Sequence, residues 1–172
     1  MKKFELTAEF VTNVFGKKLF RIKALVAFGD VEKGELGGFI EKEGNLSHDG
    51  DAWVSGDARV YGDARVSGNA QVSGNAWVYG NAQVSGDARV SGDADFSVVE
   101  GFGRYFRATT FFRCKDKILR VQCGCFYGDL AQFREIVKKT HGDSKYAKEY
   151  LAIADLMELH FSDEEEKQEA VE

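Results

Sequence analysis

The sequence predicts a mainly β protein whose middle third is a parallel β-helix, with a β-rich cap before it and a ββαα cap after it. Two observations carry this. Glycines stand at 38, 44, 50, 56, 62, 68, 74, 80, 86 and 92, ten in succession at a spacing of six. Of the 14 phenylalanines, none lies between Ile40 and Asp95, so the core of that stretch is not aromatic. A fixed internal period is the mark of a stacked, repetitive architecture.

From Gly50 the unit reads Gly-(Asp/Asn)-Ala-x-Val-(Ser/Tyr). Ala-x-Val-(Ser/Tyr) alternates with period two, so Ala and Val share one face and their neighbours the other. Gly followed by Asp or Asn then supplies a corner, because these residues tolerate a left-handed backbone. A short strand and a two-residue corner, repeated, wind into a coil whose Ala and Val fill a narrow bore. Each turn stacks on the next through parallel ladder bonds.

The run resembles the hexapeptide-repeat family, in which an aliphatic residue follows a small one by two positions. The resemblance covers residues 38–97 and implies a left-handed parallel β-helix of triangular section, with 18 residues per coil. The regular Gly-Asn/Asp-Ala-x-Val-Tyr/Ser variant is also similar to repeats of phage and prophage proteins, as are the flanks.

Charge tests the period. Residues 18 apart stack about 4.8 Å away. The corner columns read Asp51-Asn69-Asp87, Asp57-Asn75-Asp93 and Asp63-Asn81. The outward strand columns read Trp53-Gln71-Arg89, Arg59-Trp77-Asp95 and Arg65-Gln83. No like charges adjoin, as the cost of like charges on neighbouring strands requires.

Composition sets the boundaries. A bore sized for Ala and Val has no room for Phe, so the aromatic cores belong to the flanks. Residues 1–37 read as a β-rich cap, with a hairpin turning near Gly16. Residues 38–97 are the β-helix, with an irregular first coil in which Leu46 holds an Ala slot and His48 a Val slot. Residues 98–161 are an α+β cap: strands Tyr105 to Arg113 and Ile118 to Phe126, a helix capped by Asp129 and stopped at Gly142, and a second from Ser144 to about Phe161. The apolar face of that second helix is read as Tyr146, Tyr150, Ile153, Leu156, Met157 and His160. Residues 162–172 form an acidic tail, read as disordered. Its six carboxylates against Lys167 account for the whole net charge of −5.

The remaining residues sum to zero, so the basic footprint of nucleic-acid binding is missing. No apolar run approaches the roughly 18 residues of a membrane span, and the start lacks a secretion signal. Three cysteines are an odd number for a disulfide framework and fit a reducing compartment. The expected location is the cytoplasm of a bacterial host cell.

Sites follow from the columns. Cys123 and Cys125 alternate with Leu119, Val121 and Tyr127, which reads as core, and His141 and His160 have no ligand spacing to them; no metal is expected. No cofactor is expected either. Some hexapeptide-repeat proteins are acyltransferases that use a histidine base. Here Gly50 to Ser97 holds no histidine and no inserted loop, leaving His48 alone, so no catalytic residue is assigned and acyl transfer is the alternative. Arg59, Tyr61, Trp77 and Tyr79 gather on one wall, whereas the other walls carry Ser at the tyrosine position; Trp53 stands on another wall. Tyrosine, tryptophan and arginine are the residues of binding hot spots. An aromatic ladder that only stabilises the coil would use the same residues.

The expected function is therefore non-enzymatic binding through a rigid face. The phage-like resemblance implies a host protein or complex as partner, with inhibition of a defence system as one version. Self-association to a dimer or trimer is expected as well, and sequestration of a small nucleotide at the oligomer interface is a variant of the same reading. A virion structural component is a further alternative.

Overall fold

The computed structural model describes residues 1–162; the acidic tail lies outside the described residues, apart from Ser162. Strand β1 (Phe4–Thr12) pairs antiparallel with β2 (Lys18–Ala24), which pairs with β3 (Leu36–Ile40). The turn at Asn13–Lys17 contains Gly16 at φ 77°.

Seven two-residue strands follow: β4 (Trp53–Val54), β5 (Arg59–Val60), β6 (Arg65–Val66), β7 (Gln71–Val72), β8 (Trp77–Val78), β9 (Gln83–Val84) and β10 (Arg89–Val90). They stack in parallel as three walls. β4, β7 and β10 form one, β6 and β9 a second, and β3, β5 and β8 a third that runs on into β1 and β2. Partners such as Val54, Val72 and Val90 are 18 residues apart. Every Ala from 52 to 88 and every Val from 54 to 90 is buried, the most exposed being Val90 at 1 %.

The corners show why glycine recurs. Gly50, Gly56, Gly62, Gly68, Gly74, Gly80 and Gly86 have φ between 61° and 69°, where a Cβ is disfavoured. At Gly50 a Cβ would also collide with the Gly68 carbonyl oxygen of the next coil. The run of ten overstates the corners: Gly38 lies in β3, Gly44 in a 3-10 turn, and Gly92 is extended at φ −161°.

In one corner column, Asp51-Asn69-Asp87, the amide bridges the two carboxylate residues. Asn69 Oδ1 accepts the Asp51 N–H at 3.4 Å, and Asn69 Nδ2 donates to Asp87 Oδ1 at 3.3 Å. An amide can accept on one side and donate on the other, whereas an ionised carboxylate only accepts.

The first coil departs from the period. Phe39 pairs with Arg59, Ile40 with Val60 and Leu46 with Val66, each 20 residues apart. Leu46 therefore occupies a Val column rather than the expected Ala slot. The two added residues lie between Leu46 and Trp53. They swing His48 out of the bore, where it stacks on Phe4 with ring centroids 4.3 Å apart.

The far end also stops early. Ala94, expected inside, is exposed, and Asp93–Asp95 form a 3-10 turn. Strand β11 (Phe96–Val99) does not stack on the coil. It begins an antiparallel sheet with β12 (Thr109–Arg113), β13 (Leu119–Cys123) and β14 (Phe126–Asp129). The cap thus has four strands, not two: β11 is added ahead of the expected pair, and Gly124 at φ 57° turns the expected Ile118–Phe126 strand back on itself as β13 and β14.

That turn also corrects the cysteine reading: Cys114 is buried, Cys123 half-buried and Cys125 exposed. Helices α1 (Leu130–His141) and α2 (Lys145–His160) follow, capped by Asp129 and Ser144 side chains. α2 buries Ala147, Tyr150, Ile153, Ala154 and Met157. Its inward face is rotated from the expected one, for Leu156 is 56 % exposed and Tyr146 37 %. Strand β12 joins two cores: Phe111 packs with Phe133 of α1, and Phe112 with the bore.

The prism ends are closed by polar side chains that sequence reasoning missed. At the first coil, Asn45 Nδ2 donates to the carbonyls of Gly62 and Ala64 at 3.1 and 2.9 Å. Lys3 Nζ donates to those of Gly50 and Ala52 at 3.1 and 2.8 Å. Burial lowers the Lys3 pKa, opposed by Asp51 and Asp49. At the other end the roles reverse. Asp93 Oδ1 accepts the Trp77 N–H at 2.8 Å, Thr110 Oγ1 the Gln83 N–H at 3.0 Å, and Asp95 the N–H groups of Ser91 and Gly92. Asp95 is thus not a rung of the Arg59-Trp77 column, as expected, but a cap.

Val72→Asp should abolish cooperative folding, because it buries an unpaired carboxylate in the bore. Circular dichroism melts within a degree or two of wild type would show that this column does not face inward. Asn45→Ala should lower stability by about 1–3 kcal/mol, leaving buried carbonyls without donors. A denaturant midpoint equal to wild type would contradict that cap.

Candidate functional site: an aromatic column on one wall

The column sits on the wall made by β3, β5 and β8. Outward positions carry Phe39, Arg59 and Trp77 in register. The Arg59 guanidinium lies 5.1 Å from the Trp77 ring centre and that of Arg21 4.4 Å from Phe39, both within cation–π range. At the adjoining corner Tyr61 and Tyr79 stack with centroids 5.4 Å apart and planes 14° from parallel.

The structure brings Arg59, Tyr61, Trp77 and Tyr79 together but splits their roles. Tyr61 is covered by Leu19, Phe39 and Val11 of the amino-terminal sheet and is only 9 % exposed. Burial pushes its hydroxyl pKa up, reinforced by Tyr79. Tyr79, one coil further on, is 54 % exposed. Trp53 corrects the expectation of a surface residue. It is 2 % exposed, lying beneath the first cap with its ring edge-on to Phe28 at 5.4 Å. No partner protein can reach it while that cap is in place.

Beyond Tyr79 the column opens into a cleft of about 480 Å³, lined by Trp77, Tyr79, Phe96, Val98, Asp93 and Glu100. The carboxylates are anchored, Asp93 on the Trp77 N–H and Glu100 Oε2 on Asn81 Nδ2 at 3.1 Å. An exposed aromatic ring beside fixed carboxylates suits a cation. Phe96 and Glu100 are not legible in the sequence because by spacing the repeat runs through Ser97.

His48 borders a polar groove of about 980 Å³ along the wall of Arg65, Ser67, Gln83 and Ser85. Its Nδ1 accepts the Lys3 N–H at 3.1 Å, which places the ring proton of neutral His48 on Nε2, 3.1 Å from Glu43 Oε1. The ring lone pair that a general base needs is thus already engaged. Among the described residues no three His, Cys, Asp or Glu side chains gather as a metal set, and no helix is long and apolar enough to cross a membrane.

The parallel walls and buried Ala-Val bore define a β-solenoid repeat protein. The YdcK beta solenoid repeat model matches residues 52–68, 58–71, 70–84 and 82–94, the stretch that holds strands β4 to β10. No curated protein matches the chain.

The split within the column has a measurable consequence. Tyr61→Ser should lower stability by about 3–4 kcal/mol, as for other truncations of buried aromatics. Tyr79→Ser should cost less than about 1.5 kcal/mol, mainly the stacking contribution. Equal losses in urea titrations would show that the two tyrosines do the same structural job.

Proposed function

We propose that the protein is a non-enzymatic binding protein, a left-handed hexapeptide-repeat prism that docks a macromolecule on Trp77, Tyr79 and Phe96. The observation that carries this is Tyr79, stacked on the buried Tyr61 yet 54 % exposed beside Asp93 and Glu100. A stabilising ladder alone has no use for an open cleft with an apolar floor and two carboxylates at its end. The cleft suits an arginine or lysine side chain, attracted to the ring face and neutralised by the acids.

A rigid site loses little entropy on binding, which favours affinity from a small area. The partner is a host protein or complex in the bacterial cytosol, and the phage-like character of the repeat makes inhibition, including of a defence system, the preferred outcome. Acyl transfer is the weaker reading, since the Nδ1 lone pair of His48 is taken up by the Lys3 N–H.

The test compares wild type with a Trp77→Gln, Tyr79→Ser double variant by sedimentation velocity and by capture from bacterial lysate. Loss of a bound protein with an unchanged far-UV spectrum is the expected result. Identical recovery by both would reject the strip as the docking surface. A concentration-dependent mass that disappears in the variant would instead make a second copy of this chain the occupant.

A further inference from the structure

The carboxy-terminal cap holds a third cavity, separate from the aromatic column and from the His48 groove. It has a volume of about 210 Å³, between the 101–107 loop, the β13–β14 turn and α1. Its walls are apolar: Phe126 and the buried Phe133 and Val137, with Ile136 37 % exposed. The buried Tyr150 also lines it, its hydroxyl pushed up to about 12 by burial.

The loop reads Gly101-Phe102-Gly103-Arg104-Tyr105-Phe106-Arg107. Phe106 holds φ 54°, a left-handed conformation that is costly for a bulky residue. The chain folds so that Arg104 and Arg107 both border the cavity. Their guanidiniums lie 5.6 and 4.9 Å from the Tyr105 ring centre, and among the described residues neither has a carboxylate partner. Glu149, the acid of this corner, is committed: it accepts the Gly103 N–H at 2.8 Å and lies 3.8 Å from Lys145. His141 borders the cavity as well, its ring 5.8 Å from that of Tyr150.

An apolar cavity bordered by two uncompensated guanidiniums is complementary to a molecule that is apolar along its body and anionic at one end. We propose that this cavity binds a medium-chain monocarboxylate, its carboxylate against Arg104 and Arg107 and its chain between α1 and β14. Guanidinium favours carboxylate because its paired N–H groups match the two oxygens. The volume limits the chain: with about 30 Å³ for each water-sized group, it holds roughly seven. Octanoate fits that size. Methylenes of a longer chain would extend into solvent and add nothing.

The experiment titrates the full chain with octanoate while following the methyl signals of Ile136 and Val137 by NMR. Saturable shifts are expected, with affinity rising about fourfold per methylene from butanoate until the cavity is full. R104Q/R107Q should weaken octanoate binding at least about tenfold, the loss of charge-assisted hydrogen bonds, while leaving octanol binding unchanged. Ile136→Trp, which fills the entrance, should abolish both. Both arginines are exposed, so an intact methyl spectrum will establish that the double variant is folded. Octanol binding as tightly as octanoate, R104Q/R107Q binding like wild type, or no saturable shift at Ile136 and Val137 would each overturn the proposal.

Discussion

A parallel ladder has a direction. In each coil the N–H groups point to the next coil and the carbonyls to the previous one, as Trp53 N to Ala70 O and Arg59 N to Ala76 O show. The two ends of the prism are therefore chemically opposite, one a ring of unused acceptors and the other a ring of unused donors. Lys3 and Asn45 answer the first with donors; Asp93, Asp95 and Thr110 answer the second with acceptors. Buried backbone groups need partners, so this polarity decides which side chains each cap must carry. Some of these partners are local, as Asp95 is to Ser91, and others come from distant segments: Lys3 reaches its coil across 49 residues and Thr110 across 27.

The bore dictates where aromatic residues go. Ala and Val fill it completely, so Trp and Tyr can stand only outside or at its ends. Trp53 and Tyr61 belong to coils roofed by the amino-terminal sheet and became buried there. Trp77 and Tyr79 belong to the coil beyond that roof and keep exposed surface. The same six-residue unit thus yields a core residue or a contact surface according to its distance from a cap. Stacking couples the two, since the rigid Tyr61 fixes the orientation of Tyr79.

The walls were legible in the sequence because one short-range rule operates seven times over. Period two places Ala and Val inward, glycine makes the corner, and the columns of unlike charge support the period. Much of the rest depends on contacts between distant segments, which no local pattern records. The 20-residue first coil is an example: His48 falls in a Val slot by counting, but Phe4 and Lys3 hold it elsewhere. Phe96 continues the repeat by spacing, yet it pairs with Phe112. Trp53 looked like a surface residue because nothing in its own coil announces Phe28. Of the column, the composition and the Tyr61–Tyr79 stack were readable; the unequal exposure and the acidic cleft were not.

The 18-residue coil also constrains how such a chain can change length. Adding one full coil between Gly50 and Ser91 would lengthen the prism by about 4.8 Å and keep both caps over the same walls. Adding a single six-residue unit would instead rotate the carboxy-terminal cap by a third of a turn about the long axis. The Arg104–Arg107 corner and the Tyr79 cleft would then face new directions relative to the amino-terminal sheet. Inherited variation in this architecture is thereby quantised, with whole turns neutral for geometry and fractional turns a route to new surfaces.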